Sequence, residues 1–267
     1  MSIQLGMIGG GMMGEALISR LVAQDIYVAE QILVSDPQAE RRKFLSDRYG
    51  VQTTSENLEV AQAEILLLAI KPQMFDRVVA ELAGDKPTPP SLVLSILAGT
   101  PLEKLERAFS GNAVIRAMPN TPATVGAGIT AIAPGQFAQP HHLEQATRIF
   151  GAVGEVVEVA ESYMDAITGL SGSGPGYVAL IIEALADGGV AVGLPRAIAT
   201  KLAIQTVKGS AQLLQETGMH PAQLKDQVTS PGGTTIAGIA HLERAGVRSA
   251  LIEAVRAAYV RSQELGK

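Results

Sequence analysis

Three closely spaced glycines near the start of the chain have the spacing of a phosphate-binding loop. Gly9, Gly11 and Gly14 form a G-x-G-x-x-G pattern that follows an apolar run ending at Ile8 and opens a helical pattern. In such loops the glycines allow a tight turn, close backbone approach to a pyrophosphate, and close helix–strand packing. Free N–H groups at the helix start favour an anion. We expect this loop to bind a dinucleotide; the alternative is a glycine-rich turn without a ligand.

The residues after the second predicted strand bear on which dinucleotide is bound. An acidic residue at this point pairs with a ribose 2′-hydroxyl and repels a 2′-phosphate. Ser35 can bond either group, Asp36 favours NAD, and the basic triplet Arg41-Arg42-Lys43 can approach a phosphate. Alternatively, Asp36 only caps the following helix and the triplet is a solvated face. The sequence leaves these interpretations open.

Two further segments combine glycines with hydroxyl side chains, and each precedes a helical pattern. Residues 171–176 are Ser-Gly-Ser-Gly-Pro-Gly, and residues 230–235 are Ser-Pro-Gly-Gly-Thr-Thr. Hydroxyls and unobstructed N–H groups at a helix start suit an anion such as a carboxylate. Tight turns between helices are the alternative. Together with the dinucleotide loop, the two segments favour a substrate site.

Side chains suited to other chemistry are few. There is no Cys, which excludes disulfides and thiolate chemistry, and the four His residues show no metal-ligand spacing. We interpret all four as surface or packing residues and expect no metal site. Lys71-Pro72 and Asn120 instead follow predicted strands, where the ligands of open parallel sheets collect. The remaining options are hydroxyl, carboxylate, amine, backbone or cofactor chemistry.

The composition is that of a folded protein with an acidic balance. Of its 267 residues, 47% are hydrophobic and 18% are charged, and the net charge is −5. No basic cluster offers a footprint for nucleic acid, so we set that partner aside. No stretch approaches the roughly 20 apolar residues that span a bilayer, and the N-terminal residues lack a signal-peptide pattern. We therefore expect a cytoplasmic protein without a membrane partner.

Hydropathy patterning divides the chain into an α/β part and a helical part, with expected boundaries of 1–161 and 162–267. In the first part, apolar runs alternate with helical patterns, which predicts a parallel sheet. Asp36 is expected to cap a helix that ends before Gly50, and residues 100–103 have the pattern of a capping box. The predicted strands are Ile3–Ile8, Gln31–Ser35, Ile65–Ile70, Ser91–Leu97, Ala113–Ala117, Gly128–Ala133 and Glu155–Val159.

The second part is continuously helical in its pattern. Tyr177–Ala186 is apolar nearly all round, and such a helix needs burial on every side. The helical part alone cannot easily provide that burial, so we expect an intimate homodimer, from which a higher oligomer can be built. The predicted helices are Ser162–Ile167, Gly176–Gly193, Pro195–Glu216, Pro221–Val228, Gly233–Ala245 and Val247–Leu265.

Five segments together resemble the pyrroline-5-carboxylate reductases, and the resemblance runs over the whole chain. It implies an α/β fold with a Rossmann-type dinucleotide-binding domain followed by an all-helical dimerisation domain. The implied activity is reduction of the cyclic imine 1-pyrroline-5-carboxylate to L-proline by hydride transfer from NAD(P)H, the last step of proline biosynthesis. Residues 226–235 are the most specific part, since many dehydrogenases share the glycine loop. The segments are Gly9–Gly14, Ala69–Pro72, Met118–Pro122, Gly169–Pro175 and Asp226–Thr235.

The resemblance also implies which residues surround the cofactor, expected to be NADPH with NADH as the alternative. Asp36 stands beside the implied 2′-phosphate position, which leaves the choice between the two cofactors open. The implied cofactor residues are Ile8, Gly9, Gly10, Gly11, Met12, Met13, Gly14, Ser35, Asn57, Ala69, Ile70, Lys71, Pro72, Ile96, Leu97, Ala98, Asn120 and Glu161.

For the substrate, the resemblance implies that its carboxylate meets the backbone of Gly233 and Thr234. The Thr235 hydroxyl is expected to reach the ring nitrogen, which makes Thr235 the expected catalytic residue. Thr234 departs from the family pattern, in which Ala is frequent, but only its backbone is implicated. The other implied substrate residues are Gln227, Ser230 and Gly232.

A site of glycines and threonines suits the reduction of an imine. An iminium already carries the proton that the amine product requires, so no strong general acid is needed, and the protein orients the reactants. The β-hydroxyacid dehydrogenases are the nearest rival class, but they use a Lys on the helix after the Gly-Ser-Gly segment. Residues 177–187 contain no Lys. A non-catalytic dinucleotide-binding regulator is the rival from a different class.

Overall fold

The computed structural model describes residues 2–83 and 90–266, which form two compact units. Unit 1 comprises Met1–Gly172 with Ala257–Lys267, and unit 2 comprises Ser173–Arg256. The compact units thus divide the chain after Gly172, and the boundary expected between residues 161 and 162 stays a prediction about domains. Among the described residues, no helix is both long and apolar enough to cross a membrane.

Unit 1 is built on a sheet whose strands occupy the predicted positions, with one addition. The sequence does not predict β3, because it is short and largely polar. The strands are β1 (Leu5–Ile8), β2 (Ile32–Ser35), β3 (Gln52–Thr54), β4 (Ile65–Leu68), β5 (Leu92–Ser95), β6 (Ala113–Met118), β7 (Gly128–Pro134) and β8 (Gly154–Glu158).

The strand order within the described residues is β3-β2-β1-β4-β5-β6-β7-β8. Strands β1 to β6 are parallel, as predicted, but β7 runs antiparallel to β6 and then pairs in parallel with β8. The expectation of a wholly parallel sheet is therefore wrong at β7. The connection between β6 and β7 contains only a 3₁₀ turn at Thr121–Val125, and a parallel crossover needs about a dozen residues or more.

Helices cover both faces of this sheet. Leu17, Leu45 and Phe150 are completely buried in the core on one face, whereas Phe75 and Leu105 belong to the core on the other face. The central strands are buried on both sides, which explains their unbroken apolar runs. The helices of unit 1 are α1 (Met12–Ala23), α2 (Ala39–Tyr49), α3 (Asn57–Val60), α4 (Phe75–Leu82), α5 (Leu102–Ala108), α6 (Pro140–Gly151) and α7 (Met164–Ile167).

Two predicted helix caps are wrong, and tertiary contacts explain both. Helix α2 has Gln38 rather than Asp36 at its N-cap, because the backbone of Gln38 is still extended. The Asp36 carboxylate binds the glycine loop through the Gly10 N–H group and also accepts from the Gln38 N–H group. Helix α5 has Pro101 at its N-cap, and its first N–H group, on Leu102, donates to the Glu161 carboxylate at 3.0 Å. The end of α2 is as predicted, since Gly50 has φ +72°.

Unit 2 is helical, as predicted, and leaves many large apolar side chains exposed. Its buried residues include Ala186, Ala199 and Ala203, between α8 and α9, whereas Leu180 and Leu202 are more than half exposed. The remaining helices are α8 (Gly174–Ala191), α9 (Arg196–Thr217), α10 (Pro221–Gln227), α11 (Thr234–Arg244) and α12 (Val247–Leu265), the last of which ends in unit 1.

The segment of residues 171–176 differs from its predicted form. Thr168–Gly172 make a π-helical turn, and Ser173 has helical backbone angles before α8 begins. The Ser171 hydroxyl donates to the Ile167 carbonyl at 3.1 Å. Because the backbone is already helical, this segment offers neither the tight turn nor the open helix start that the sequence suggests.

Candidate active site

The glycine loop between β1 and α1 has the geometry that its sequence predicts. Gly9 has φ +102°, and a Cβ atom there would lie 2.6 Å from the Ala69 carbonyl oxygen. A Cβ atom on Gly14 would lie 2.6 Å from the Gly9 carbonyl oxygen. A side chain at either position would overlap backbone, so both positions require glycine for close packing.

The outer side of the loop forms an open cradle. A Cβ atom on Gly11 would meet nothing within 4 Å, and Met12 is 72% exposed. The Glu15 N–H group makes the first helical hydrogen bond, to the Gly11 carbonyl at 2.8 Å, so the N–H groups of residues 12–14 precede it. This cradle fits the pyrophosphate of a dinucleotide, which needs open space and unpaired N–H groups at a helix start.

The ends of four neighbouring strands align at one edge of the sheet. Ile8 is in register with both Ser35 and Leu68, and Leu68 is in register with Ser95. Strands β2 and β3 lie on one side of β1, and the strands from β4 onward lie on its other side. In open sheets of this kind, ligands bind beyond the strand ends at the point where the strand order switches sides. The segments directly beyond these strand ends contain most of the expected cofactor residues: Gly9 to Gly14, Ala69 to Pro72, and Ile96 to Ala98.

At the end of β2, the two polar residues expected near the ribose are joined. The Ser35 hydroxyl donates to Asn57 Oδ1 at 2.7 Å, and Asn57 Nδ2 donates to Glu81 Oε2 at 2.6 Å. Glu81 also pairs with Arg77 at 3.0 Å, and the hydrogen bonds from Asn57 and Arg77 lower the pKa of its carboxyl. Glu81 is not among the residues predicted from the sequence, although the i,i+4 spacing of Arg77 and Glu81 indicates an ion pair.

The basic triplet on α2 makes three different sets of contacts. Arg41 donates to the Gly10 carbonyl and pairs with Glu15, Arg42 donates to the carbonyl of Asp36 at 2.7 Å, and Lys43 pairs with Asp47. Of these three side chains, Lys43 is the one that is solvated, as the alternative interpretation of a solvated face expects. Arg41 instead stabilises the glycine loop, a role that the sequence analysis did not identify.

Glu15 connects this loop to the end of α2. Its carboxylate accepts hydrogen bonds from Arg41 at 2.5 Å and from the Tyr49 hydroxyl at 2.8 Å. Burial raises the pKa of the Glu15 carboxyl, but the hydrogen bonds from Arg41 and Tyr49 outweigh burial and bring it below its ordinary value. Glu15 is therefore ionised at neutral pH and holds α1 and α2 together.

The side chains of four expected cofactor residues are buried, hydrogen-bonded or ion-paired within unit 1. Ile8 and Leu97 are buried in the core, which leaves their backbone as the part that can meet a ligand. The Asn120 side chain bridges the Ile129 N–H group and the Ser171 carbonyl. Glu161 pairs with the buried Arg116 at 2.7 Å. Their assignment to the cofactor stays a prediction.

In unit 2, the expected substrate residues run from the last residue of α10 to the second residue of α11. Gly232 has φ +67°, and the Gly233 N–H group donates to the Ser230 carbonyl at 3.0 Å, which closes the turn. Gly233 is the N-cap of α11 and makes no side-chain cap. The Gly233 N–H group is thus used within the turn.

The N–H groups of the next residues are the ones that α11 leaves unpaired. The first helical hydrogen bond runs from the Ala237 N–H group to the Gly233 carbonyl, so the N–H groups of Thr234 and Thr235 precede it. Thr235 is half-buried, and its hydroxyl has no hydrogen-bond partner within the described ranges. Gln227 and Ser230 are exposed beside this turn. Residues 227–235 therefore present backbone donors and hydroxyls, that of Thr235 among them, which suit a small carboxylate.

Two of the four histidines, His142 and His220, accept backbone hydrogen bonds at helix starts. His142 Nδ1 accepts a hydrogen bond from the Gln139 N–H group at the start of α6, and His220 Nδ1 accepts from the Ala222 N–H group at the start of α10. Burial and the neighbouring His141 lower the pKa of His142. The residues that the structure describes contain no cluster of three or more potential metal ligands.

Comparison with protein families covers both parts of the chain. The family model described as pyrroline-5-carboxylate reductase dimerisation matches residues 161–265. The model described as NADP oxidoreductase coenzyme F420-dependent matches residues 4–99. The second match coincides with the glycine loop and the strand ends of unit 1.

The chain matches pyrroline-5-carboxylate reductases over their full length. The chain is 62% identical over 268 residues to the pyrroline-5-carboxylate reductase of a Synechocystis strain, with 100% of both chains covered. It is 42% identical to the Escherichia coli pyrroline-5-carboxylate reductase over 269 residues, again with 100% of both covered.

Solved structures agree with these relatives. Plasmodium falciparum pyrroline carboxylate reductase with NADP bound matches with a TM-score of 0.89 and 32% identity, covering 99% of this chain and 98% of that one. The Coxiella burnetii pyrroline-5-carboxylate reductase matches with a TM-score of 0.90 and 35% identity, covering 100% of both. Because it matches these proteins over its full length, with 62% identity to the Synechocystis protein, the chain belongs to the pyrroline-5-carboxylate reductase family.

Proposed function

We propose that this chain reduces 1-pyrroline-5-carboxylate to L-proline with a reduced nicotinamide cofactor. The observation that carries the proposal is the turn before α11, where the Thr234 and Thr235 N–H groups and the Thr235 hydroxyl are unpaired. The carboxylate of a small anionic ring matches the two N–H groups, and its single ring nitrogen matches the hydroxyl. The cradle of unit 1 supplies a place for the cofactor, and full-length relatives carry the corresponding name.

The protein contributes orientation and electrostatics to this reaction. The bound cofactor supplies the hydride, which the carbon of the C=N bond receives. The N–H groups of Thr234 and Thr235 hold the substrate carboxylate at the start of α11, where the helix dipole favours an anion. The Thr235 hydroxyl accepts a hydrogen bond from the protonated ring nitrogen and fixes the orientation of the C=N bond. The nitrogen keeps its proton when the bond is reduced, so no general acid takes part.

The finer proposal on the cofactor is a preference for NADPH over NADH. Ser35 and Asn57 provide polar groups at the end of β2, and Arg42 lies at the start of α2 with its guanidinium on the Asp36 carbonyl. An arginine near this position accommodates a 2′-phosphate in related folds. The ratio of kcat/KM for the two cofactors tests this, and a clear NADH preference would contradict it.

The experiment for the activity follows the loss of NADPH or NADH absorbance with pyrroline-5-carboxylate as substrate. We expect turnover that depends on both reactants and yields proline. A β-hydroxyacid substrate with the oxidised cofactor is the comparison, and we expect no turnover, because α8 carries no Lys. A folded protein that binds the cofactor but turns over neither substrate would favour the non-catalytic regulator.

We also propose that the working form is a homodimer, with larger assemblies built from dimers. Unit 2 exposes Leu180, Val192 and Leu202 by 66%, 82% and 54%, respectively, and exposed apolar surface of this extent marks an interaction surface. Sedimentation of a compact monomer at low micromolar concentration would contradict the proposal. The cytoplasmic location stays a prediction, which cell fractionation tests.

A further inference from the structure

The peptide unit of Gly10 is held from two sides. Asp36 Oδ2 accepts a hydrogen bond from the Gly10 N–H group at 3.1 Å, and Arg41 Nε donates to the Gly10 carbonyl. Gly10 itself is buried, and a Cβ atom there would lie 2.6 Å from Leu45 Cδ1. The glycine loop is thus fixed to the end of β2 and to α2 by contacts within the chain.

Both oxygens of the Asp36 carboxylate accept from backbone. While Oδ2 bonds Gly10, Oδ1 accepts from the Gln38 N–H group at 2.9 Å. An acidic residue at the end of the second strand ordinarily uses these oxygens to hold a ribose 2′-hydroxyl and to repel a 2′-phosphate. Arg42 donates to the backbone carbonyls of Asp36 and Pro37, which holds its guanidinium on the backbone just beyond the end of β2.

We infer that Asp36 is a positioning residue of the glycine loop and does not select between NADH and NADPH. The inference rests on the proposed nicotinamide cofactor. The loop serves the pyrophosphate, which both cofactors share, so Asp36 supports the binding of both to the same extent. Selection between them then depends on other groups at the end of β2.

The first test measures the Kd of NADPH and of NADH, by quenching of their fluorescence, for the wild type and Asp36→Ala. We expect both Kd values to rise roughly tenfold or more, the size expected for losing a hydrogen bond to a charged group. Their ratio should stay within about twofold. Asp36→Asn keeps an amide oxygen that can accept from Gly10, so it should recover part of the affinity. Asp47→Ala is the matched control, because it removes a carboxylate of α2 that, among the residues the structure describes, pairs only with Lys43.

Selective effects would overturn the inference. If Asp36 binds the ribose 2′-hydroxyl, Asp36→Ala raises the Kd of NADH alone. If its charge repels a 2′-phosphate, the same substitution lowers the Kd of NADPH. In either case the ratio of the two Kd values shifts by much more than twofold. Equal effects of Asp36→Ala and Asp47→Ala would overturn it as well, because the contact with Gly10 would then be immaterial.

The second test needs no cofactor. Amide hydrogen exchange of Gly10 should be slow in the cofactor-free wild type and at least about tenfold faster in Asp36→Ala, with amides of β4 unchanged. Unchanged exchange at Gly10 would overturn the inference. Should Asp36→Ala fail to fold, Asp36→Asn decides by the same two measurements. A wild type that binds neither cofactor would refute the proposed function, while Gly10 exchange would still decide the role of Asp36.

Discussion

Replacing Thr235 with alanine separates a role in catalysis from a role in folding. The hydroxyl is proposed to hold the protonated ring nitrogen, and it has no hydrogen-bond partner in the described part of the chain. Losing one hydrogen bond to a charged group costs about 1.5–3 kcal/mol. We therefore expect Thr235→Ala to lower kcat/KM for the imine roughly 10- to 150-fold.

The same structure predicts little change in stability. Thr235 is the second residue of α11, whose N-cap is Gly233, so no capping hydrogen bond is lost. Alanine has a higher intrinsic helix propensity than threonine, by at most about 0.7 kcal/mol. The Tm should therefore stay level or rise slightly, and the Kd of NADPH should be nearly unchanged, because the glycine loop belongs to unit 1.

Two further variants make this experiment decisive. Thr235→Ser keeps the hydroxyl and should recover most of the rate. Thr234→Ala is the matched control, since it removes a neighbouring exposed hydroxyl but keeps the N–H group. If the Ser and Ala variants at position 235 are equally slow, the hydroxyl is not the operative group. Near-normal kinetics with a lowered Tm would assign Thr235 a structural role instead.

Three other predictions concern unit 1. Glu15 has a lowered pKa, so its stabilising effect is present above the ordinary carboxyl pKa and is lost as pH falls through the lowered value. The unfolding free energy of Glu15→Gln should fall less steeply than that of the wild type between about pH 5 and 3. An unchanged pH profile would contradict the stabilising role of the Glu15 carboxylate. Glu161→Ala leaves the Arg116 guanidinium buried without its ion pair and should cost about 3–5 kcal/mol in urea unfolding. If Glu161→Ala is as stable as the wild type but binds the cofactor weakly, the result would instead support a role of Glu161 in cofactor binding. Gly14→Ala puts a methyl group against the Gly9 carbonyl and should weaken NADPH binding at least about tenfold. Gly151→Ala, at the end of α6, where an added Cβ atom meets nothing within 4 Å, is its control in titrations.

The glycine loop was predictable because residue type alone encodes its geometry. A positive φ at Gly9 and the close contact of Gly14 with the Gly9 carbonyl admit no side chain. The helical character of unit 2 was likewise visible in its periodicity. Those features depend on local sterics and on patterning, which a single sequence contains.

Features that depend on tertiary contacts were less accessible. The carboxylate of Asp36 accepts a hydrogen bond from the Gly10 N–H group, and that of Glu161 accepts one from the first N–H group of α5. In both hydrogen bonds the donor and the acceptor are far apart in sequence. Local rules assigned these helix starts to nearby side chains and were wrong. The direction of β7 could have been predicted, since its connection to β6 is shorter than the roughly dozen residues of a parallel crossover.

A labelled hydride shows whether the chain performs the proposed reduction. The protein is given pyrroline-5-carboxylate and NADPH that carries deuterium at both positions of C4 of the nicotinamide, and the product is analysed by mass spectrometry. We predict proline one mass unit heavier, with the deuterium on the carbon that formed the C=N bond. Unlabelled proline, or no proline from folded protein that binds NADPH, would contradict the proposed function.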